Sequence, residues 1–374
     1  MDWTRHNMSS YQIVIKTSTG LEVKRLSRVN SLRAGRSDRA MMPCEITIPQ
    51  ILTPQDFSKD MIIEVWRNNM DGSITLDGQT GYFLRRWNFY RDSQGKDLIS
   101  LYAIDGNYII DGREVEYAAE STQATKSGVA SDVIKAIMRE NFVSATDTTR
   151  NLSASYFTVD ADDGFGASVT KAFSRQMVLT TIQALVDQSR NAGTWITFDT
   201  VYNGTLPFTF KTFINQRGDD IRETITLSVE AKSLSNPLLS FNYVDEKTAA
   251  YVAGKGENEA RLVGTATSTA INDTVWSRRE AVTENFQVTT TTGLNNEARA
   301  LLNKKKAKRT LTGQIAQTKG LRYGRDWNYG DRVLATYLGY TFDCRINGYE
   351  INYLSNGGET TDQVTAFIVG EESI

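Results

Sequence analysis

The sequence predicts a mainly β protein with α+β inserts, and three observations carry that prediction. Short apolar runs recur at strand length, separated by turn dipeptides at Asp71-Gly72, Asp77-Gly78, Gln94-Gly95 and Asp111-Gly112. Composition points the same way: 27 Gly against 5 Pro, with 16 Tyr and 15 Phe, favours strands joined by Gly, Asn and Asp turns. Helical periodicity is confined to three segments.

In chain order, the first hundred or so residues read as antiparallel strands. Tyr11-Gln-Ile-Val-Ile-Lys-Thr17 alternates, with Tyr11, Ile13 and Ile15 on one face. Glu45-Ile-Thr-Ile48, Met61 to Trp66, Gly81 to Leu84 and Leu98 to Ile104 follow. Strands this short and this regularly punctuated suggest a barrel or a sandwich. After about residue 120 the period changes. Ser127 is placed to cap a helix from Val129 to Phe142, with Val129, Val133, Ile137 and Met138 on its apolar side. A second helix is predicted from Met177 to Arg190, with Leu179, Ile182 and Val186 as its buried stripe and Gly193 as its C′ residue. Two strand-like runs, Thr194 to Phe198 and Phe208 to Phe213, complete an α+β insert. Residues 225–245 and 250–292 return to β character, a third helix is predicted from Leu294 to Lys308, and β runs to the end.

A weak internal repeat links the first and last β regions. Asp60-Met-Ile-Ile-Glu-Val65 leads to Asp77 to Phe83 and then to Gly95 to Gly106; Gly330-Asp-Arg-Val-Leu-Ala335 leads to Arg345 to Ile351 and then to Gly358 to Gly370. Antiparallel hairpins resemble one another, which is one explanation. The other is two related β-barrels in one chain. Three such chains would make a ring of six similar units, a closed way of meeting a sixfold partner on one face and a threefold partner on the other.

Several segments resemble the hub family of long-tailed bacteriophages, the baseplate-hub-like or minor tail proteins. Cys44-Glu-Ile-Thr-Ile-Pro49 followed by Met61 to Val65 is similar to the family's first barrel, and Ser131 to Asn141 with Arg150 to the helix opening its second module. Gly254 to Arg261, Trp276-Ser-Arg-Arg-Glu280, Leu294 to Leu302 and Tyr323 to Val333 recur in kind. The resemblance covers most of the chain. It implies two tail-tube-like antiparallel β-barrels plus two smaller modules: a first barrel at 1–118, an α+β module at 119–215, a second barrel at 216–250 and 312–374, and a small β/helix module at 251–311. It also implies a non-catalytic structural protein of the virion tail tip, assembled in the host cytoplasm as a homotrimer. Its partners would be the distal tail, tail tube and tape measure proteins and the tip or fibre proteins that bind the receptor. The chain stops at Ile374, just past the last barrel strand, so a needle, fibre or cell-wall-cleaving extension is expected on a separate protein.

The remaining chemistry is sparse. Forty-two basic and 44 acidic residues give a net charge of -2, so bulk electrostatic binding of nucleic acid is not expected and contact with passing DNA would be transient at most. No signal peptide and no apolar stretch of roughly 18–20 residues is present, so no membrane-spanning segment is expected. Cys44 and Cys344, distant and without a C-x-x-C pattern, read as buried thiols. His6 is the only histidine, which excludes a multi-His metal site or a His-dependent triad within one chain apart from His6 itself. No phosphate-binding glycine motif occurs, and no cofactor or catalytic residue is predicted. Asp160, Asp162 and Asp163 before Gly164 read as a solvated turn, with a Ca²⁺ loop as the alternative despite the missing Glu at the twelfth position. Lys304, Lys305, Lys306, Lys308 and Arg309 form the one strong charge run. It reads as a solvated helix end favoured by the helix dipole, or as a contact for a neighbouring subunit or acidic tail partner. Trp66, Trp87, Phe89, Tyr90, Trp327, Tyr329, Tyr337 and Tyr340 read as barrel core, with interface anchors as the alternative. Two other functions stay open at this point: a carbohydrate-binding or glycan-cleaving β protein, and the hub of a phage-derived injection device or gene transfer agent.

Overall fold

A computed structural model of the chain describes residues 10–69, 72–116, 124–173, 176–286, 288–318, 320–356 and 359–373. His6, Asp71 and Gly358, which the sequence singled out, lie outside these residues. The first region folds as β1 (Tyr11–Lys16), β2 (Glu22–Leu26), β3 (Ser31–Ser37), β4 (Pro43–Pro49), β5 (Ile62–Asn68), β6 (Ile74–Leu76), β7 (Tyr82–Arg91) and β8 (Asp97–Ile104). Tyr11, Ile13 and Ile15 are buried as the alternation predicts, and Val14 on the other face is buried too. β1 therefore has protein on both sides.

The α+β insert follows as α1 (Tyr108–Asp111), β9 (Ala124–Val129), α2 (Ala130–Phe142), β10 (Phe157–Val159), β11 (Ser168–Phe173), α3 (Val178–Asn191), β12 (Ile196–Val201) and β13 (Phe208–Ile214). α2 buries Val133, Ile134, Ile137, Met138 and Phe142, each contributing about 1.5–3 kcal/mol of apolar transfer. Its predicted cap is corrected. Ser127 lies inside β9, where it pairs with the Thr170 hydroxyl at 3.0 Å. The strand runs straight into the helix, and the first free amides of α2, those of Ala130 and Ser131, donate to the carbonyls of Ala167 and Phe165. α3 ends as predicted: Gly193 adopts φ +91° and its amide donates to the Arg190 carbonyl at 2.9 Å.

The second β region begins with β14 (Thr226–Ser228) and β15 (Leu234–Asn242). It is then interrupted by β16 (Ala249–Ala253), β17 (Val263–Thr267), β18 (Glu280–Glu284) and α4 (Thr291–Lys304). It resumes with β19 (Lys308–Ile315), β20 (Arg332–Tyr337), β21 (Tyr340–Asn356) and β22 (Glu359–Ser373). The third helix was expected to reach Lys308. It stops at Lys304 because Ala307 is buried and Lys308 already pairs in the ladder with β22, so strand pairing overrides the helix propensity of the lysine run.

Among the described residues fourteen strands form one sheet, in the order β15-β19-β22-β21-β3-β4-β8-β7-β5-β1-β2, with β20 joining β21 to β14 and β6 pairing β5. The order contains a repeat. The set β3-β4-β8-β7-β5-β1 is matched position by position by β15-β19-β22-β21-β20-β14. The two sets differ at the end: β1 runs antiparallel to β5, whereas β14 runs parallel to β20. They differ also in that the turn between β3 and β4 corresponds to the whole β16–α4 insert between β15 and β19.

The match extends to hydrogen bonds. The Asp60 amide donates to the Leu84 carbonyl (3.1 Å) and the Leu84 amide to the Met61 carbonyl (2.8 Å). Gly330, Ile346 and Asp331 repeat this pair, both at 2.9 Å. One residue later each strand carries a bulge, between Leu84 and Arg86 opposite β8 and between Ile346 and Gly348 opposite β22. The two halves share one hydrophobic core and meet where β3 pairs with β21. The ladder runs from β15 to β2 without closing on itself among the described residues.

Candidate functional site

The junction of the two β halves and the α+β insert holds a web of buried charge. Arg36, near the end of β3, is 1% exposed. Its guanidinium meets Asp105 at 2.9 Å, donates to the Thr80 hydroxyl at 3.0 Å and pairs with Asp199 of β12. Asp199 takes a second cation, Arg217, at 2.6 Å. Burial pushes the Asp199 carboxyl up, but Arg36 and Arg217 outweigh it and hold the group below the ordinary carboxylate range. Asp105 has only one cation, and burial pushes it up to about 6. The web thus ties the first half, through Arg36 and Asp105, to the insert through Asp199.

The second half enters through tyrosines. Arg217 lies 4.8 Å from the centre of the Tyr329 ring, and Arg67 lies 3.9 Å from that of Tyr323. Arg67 also pairs with Asp77 at 3.1 Å, and the Tyr349 hydroxyl donates to the same carboxylate. Gly78 is required here, since a Cβ would strike the Tyr349 hydroxyl and its φ is +61°. A second knot holds Glu64 of β5: Lys16 at 2.6 Å, and the Tyr202 hydroxyl and Trp66 indole N–H each donating at 2.7 Å. Because these charges are buried, removing one partner leaves another uncompensated.

Asp331 stitches the start of β20 to residues 218–219. Its carboxylate accepts the Asp219 amide at 2.8 Å and the Asn328 amide at 2.6 Å, and burial pushes it up to about 6. A folded-state value above the unfolded one of roughly 3.9 means the native chain holds the proton longer. Its contribution to stability is then full below the unfolded value and declines as pH rises toward 6. Asp331→Asn is expected to flatten the urea-midpoint profile between about pH 4 and 6, which denaturation at half-unit pH steps would measure. An unchanged slope would refute the assignment.

The residues predicted from sequence are dispersed. The lysine run splits: Lys304 closes α4, Lys305 is its cap residue, and Lys308 and Arg309 pair with Glu371 and Glu372 of β22. The expected single solvated helix end is therefore corrected to a helix end followed by a paired strand. Asp163 pairs with the buried Lys135, Asp162 with Arg139, and Asp160 with Lys211 at 3.6 Å. Among the described residues no cluster of three or more His, Cys, Asp or Glu is placed to hold a metal. Cys44 and Cys344 are free and buried, and burial pushes the Cys344 thiol up to about 12. Trp327 and Tyr329 are core, Trp87 and Phe89 pack against it from partly buried positions, and Tyr90 and Tyr340 are exposed. Sequence reasoning missed Arg36, Asp105, Asp199, Arg217 and Glu64. The one local signal was a charge in a strand otherwise built for burial, as at Glu64 within Met61 to Trp66.

Outside the web, many apolar side chains reach solvent, and in two places they cluster along the chain. Edge strand β15 and the residues after it expose Leu238, Phe241, Tyr243 and Val244. The turn before β18 presents Val275 and Trp276 at 89% and 82% exposure, braced by the Ser277 hydroxyl bonded to Thr274. No helix among the described residues is long and apolar enough to cross a membrane.

The sequence profile of a family described as Siphovirus ReqiPepy6 Gp37-like protein matches residues 101–365. No curated protein sequence matches the chain. Three solved structures share its fold along nearly their whole lengths. The prophage tail protein gp18 from Listeria monocytogenes EGD-e aligns with a TM-score of 0.51 at 15% identity, over 96% of this chain and 94% of that one. The 43 kDa tail protein of prophage MuSo2 from Shewanella oneidensis gives 0.55 at 12% identity, over 96% and 98%. A tail protein from Neisseria meningitidis MC58 gives 0.55 at 11% identity, over 97% of each chain.

Proposed function

The chain belongs to the Siphovirus ReqiPepy6 Gp37-like protein family, and from that premise we propose that it is a structural hub of a phage tail tip. In this reading three copies form a ring. The ring joins the sixfold tail tube and distal tail ring above to threefold tip or fibre proteins below, and surrounds the closed end of the DNA channel. Each copy contributes two barrel-like units, spanning 1–118 and 216–250 with 312–374. The insert at 119–215 and the small module at 251–311 lie between and beside them. Tape measure protein would meet the ring from above, and DNA would pass without being held.

One observation carries the proposal: the two β halves repeat the same strand order, the same amide–carbonyl pair and the same bulge. Two equivalent units per chain make six per trimer, the number a sixfold tube requires, and cyclic closure leaves no unsatisfied copy of the interface. The buried charge web fits the role, since a ring that bears load gains from modules locked in one orientation. Lys304, Lys305, Lys306, Lys308 and Arg309 are proposed to lie at a partner interface.

The expected native mass is three times the 41.8 kDa chain mass, and imaging of the purified ring or intact particle should show threefold symmetry with six similar lobes. A monomer at micromolar concentration together with a particle lacking that ring would refute the proposal.

A further inference from the structure

We propose that the groove between α3 and α4 is a docking site for an acidic helix of a partner protein. Two helical stripes face it. On α3, Ala184, Asp187, Gln188 and Asn191 follow the three-four spacing of one helix face; on α4, Asn296, Arg299, Ala300 and Asn303 do the same. The opposite faces are already committed, α3 burying Ile182, Leu185 and Val186, and α4 burying Leu294, Ala298 and Leu302. The stripes between them enclose about 890 Å³. Ala184 and Ala300 keep its walls low, which suits a third helix at an interaxial distance of about 8–10 Å.

The charge of the groove selects the partner. Its two carboxylates are answered within the chain, Asp187 by Arg39 and Glu371 by Lys308. Arg299 and Lys304 line the same groove and form no ion pair among the described residues. Lys305 and Lys306 extend the positive field beyond them. Gln188, Asn191, Asn296 and Asn303 add amide donors and acceptors that match polar side chains on a helix. Nucleic acid fits less well. No aromatic residue lines the groove to stack a base. The inference does not rest on the hub reading, because it needs only the groove and its charges.

The test is a titration of the full chain with a fluorescein-labelled peptide of about 20 residues rich in Glu and Ala, long enough to hold helix. The probes run beside it are a Gln-Ala peptide of the same length and a short duplex DNA. Binding of the acidic peptide is expected to weaken with salt and to fall at least about tenfold in the R299E/K304E variant. It should fall similarly in A300W, which keeps every charge but fills the groove. Both changes are on exposed positions, and an unaltered thermal midpoint confirms that each variant is folded. Three results overturn the proposal: equal binding of the Gln-Ala peptide, acidic-peptide binding that survives A300W, or tighter binding of DNA that the same variants abolish.

Discussion

Arg36→Met is expected to destabilise the folded chain by about 3–5 kcal/mol, the range for breaking a buried ion pair on one side only. Arg36 is fully enclosed and serves two carboxylates from different modules. After the change Asp199 retains Arg217, but Asp105 keeps only the amides of Met42 and Asn107. An uncompensated buried carboxylate escapes its penalty by taking a proton. Asp105 is already pushed up to about 6, and losing its cation raises it further. Its folded value then lies still farther above the unfolded one, so stability falls as pH climbs through the interval between them. The deficit of Arg36→Met should therefore be greater at pH 8 than at pH 5. Adding Asp105→Asn should recover part of it, because the orphaned charge is gone. Arg36→Lys should fall between, since an ammonium cannot reproduce the guanidinium fork that reaches Asp105, Thr80 and Asp199 together. Urea denaturation of the four proteins at both pH values would measure this. A loss under about 1 kcal/mol for Arg36→Met would mean the web is dispensable.

The web also marks where sequence reasoning runs out. Strand β1, helices α2 and α3 and the C′ role of Gly193 were legible because their signals are local: alternation, a 3.6-residue stripe, a glycine after the last turn. The repeat was legible for the same reason, as two similar successions of strands and turns. The partners of Arg36 lie 69 and 163 residues away, and nothing near Arg36 announces them. Asp77-Gly78 shows the confusion most sharply. It reads as a turn and does turn there, yet its carboxylate is buried beneath Arg67 and Tyr349. The lysine run was misjudged in the opposite direction. Its composition favours helix, while the ladder partners that claim Lys308 and Arg309 come from the last strand of the chain. The candidate groove was half legible, since Lys304 was singled out but the facing stripe of α3 can be known only from packing.

Gly35→Val is expected to open the seam between the two β halves. Gly35 of β3 sits opposite Glu350 of β21. A Cβ there would strike the Tyr349 carbonyl oxygen and come within 3.2 Å of the Glu350 Cα. Both are backbone atoms, so no side chain can turn aside, and relief requires the strands to part. Overpacking in a closed core costs about 1–3 kcal/mol, and here the lost ladder bonds of β3 and β21 add to it. The damage should be local at first. Hydrogen exchange should accelerate at amides of residues 31–37 and 349–354, while those of β7 and β8 stay protected, since their pairing does not involve β21. Gly112→Ala is the control, a position with nothing within 4 Å of an added Cβ and an ordinary negative φ; it should be close to neutral. If the halves act as two units of a ring, Gly35→Val should also shift the native mass from trimer toward monomer, because their relative orientation sets where the next copy docks. Loss of seam protection with the trimer intact would separate the two roles, leaving β3–β21 as a fold element that does not govern assembly. Unchanged protection at residues 349–354 would show that the seam is looser than its geometry requires.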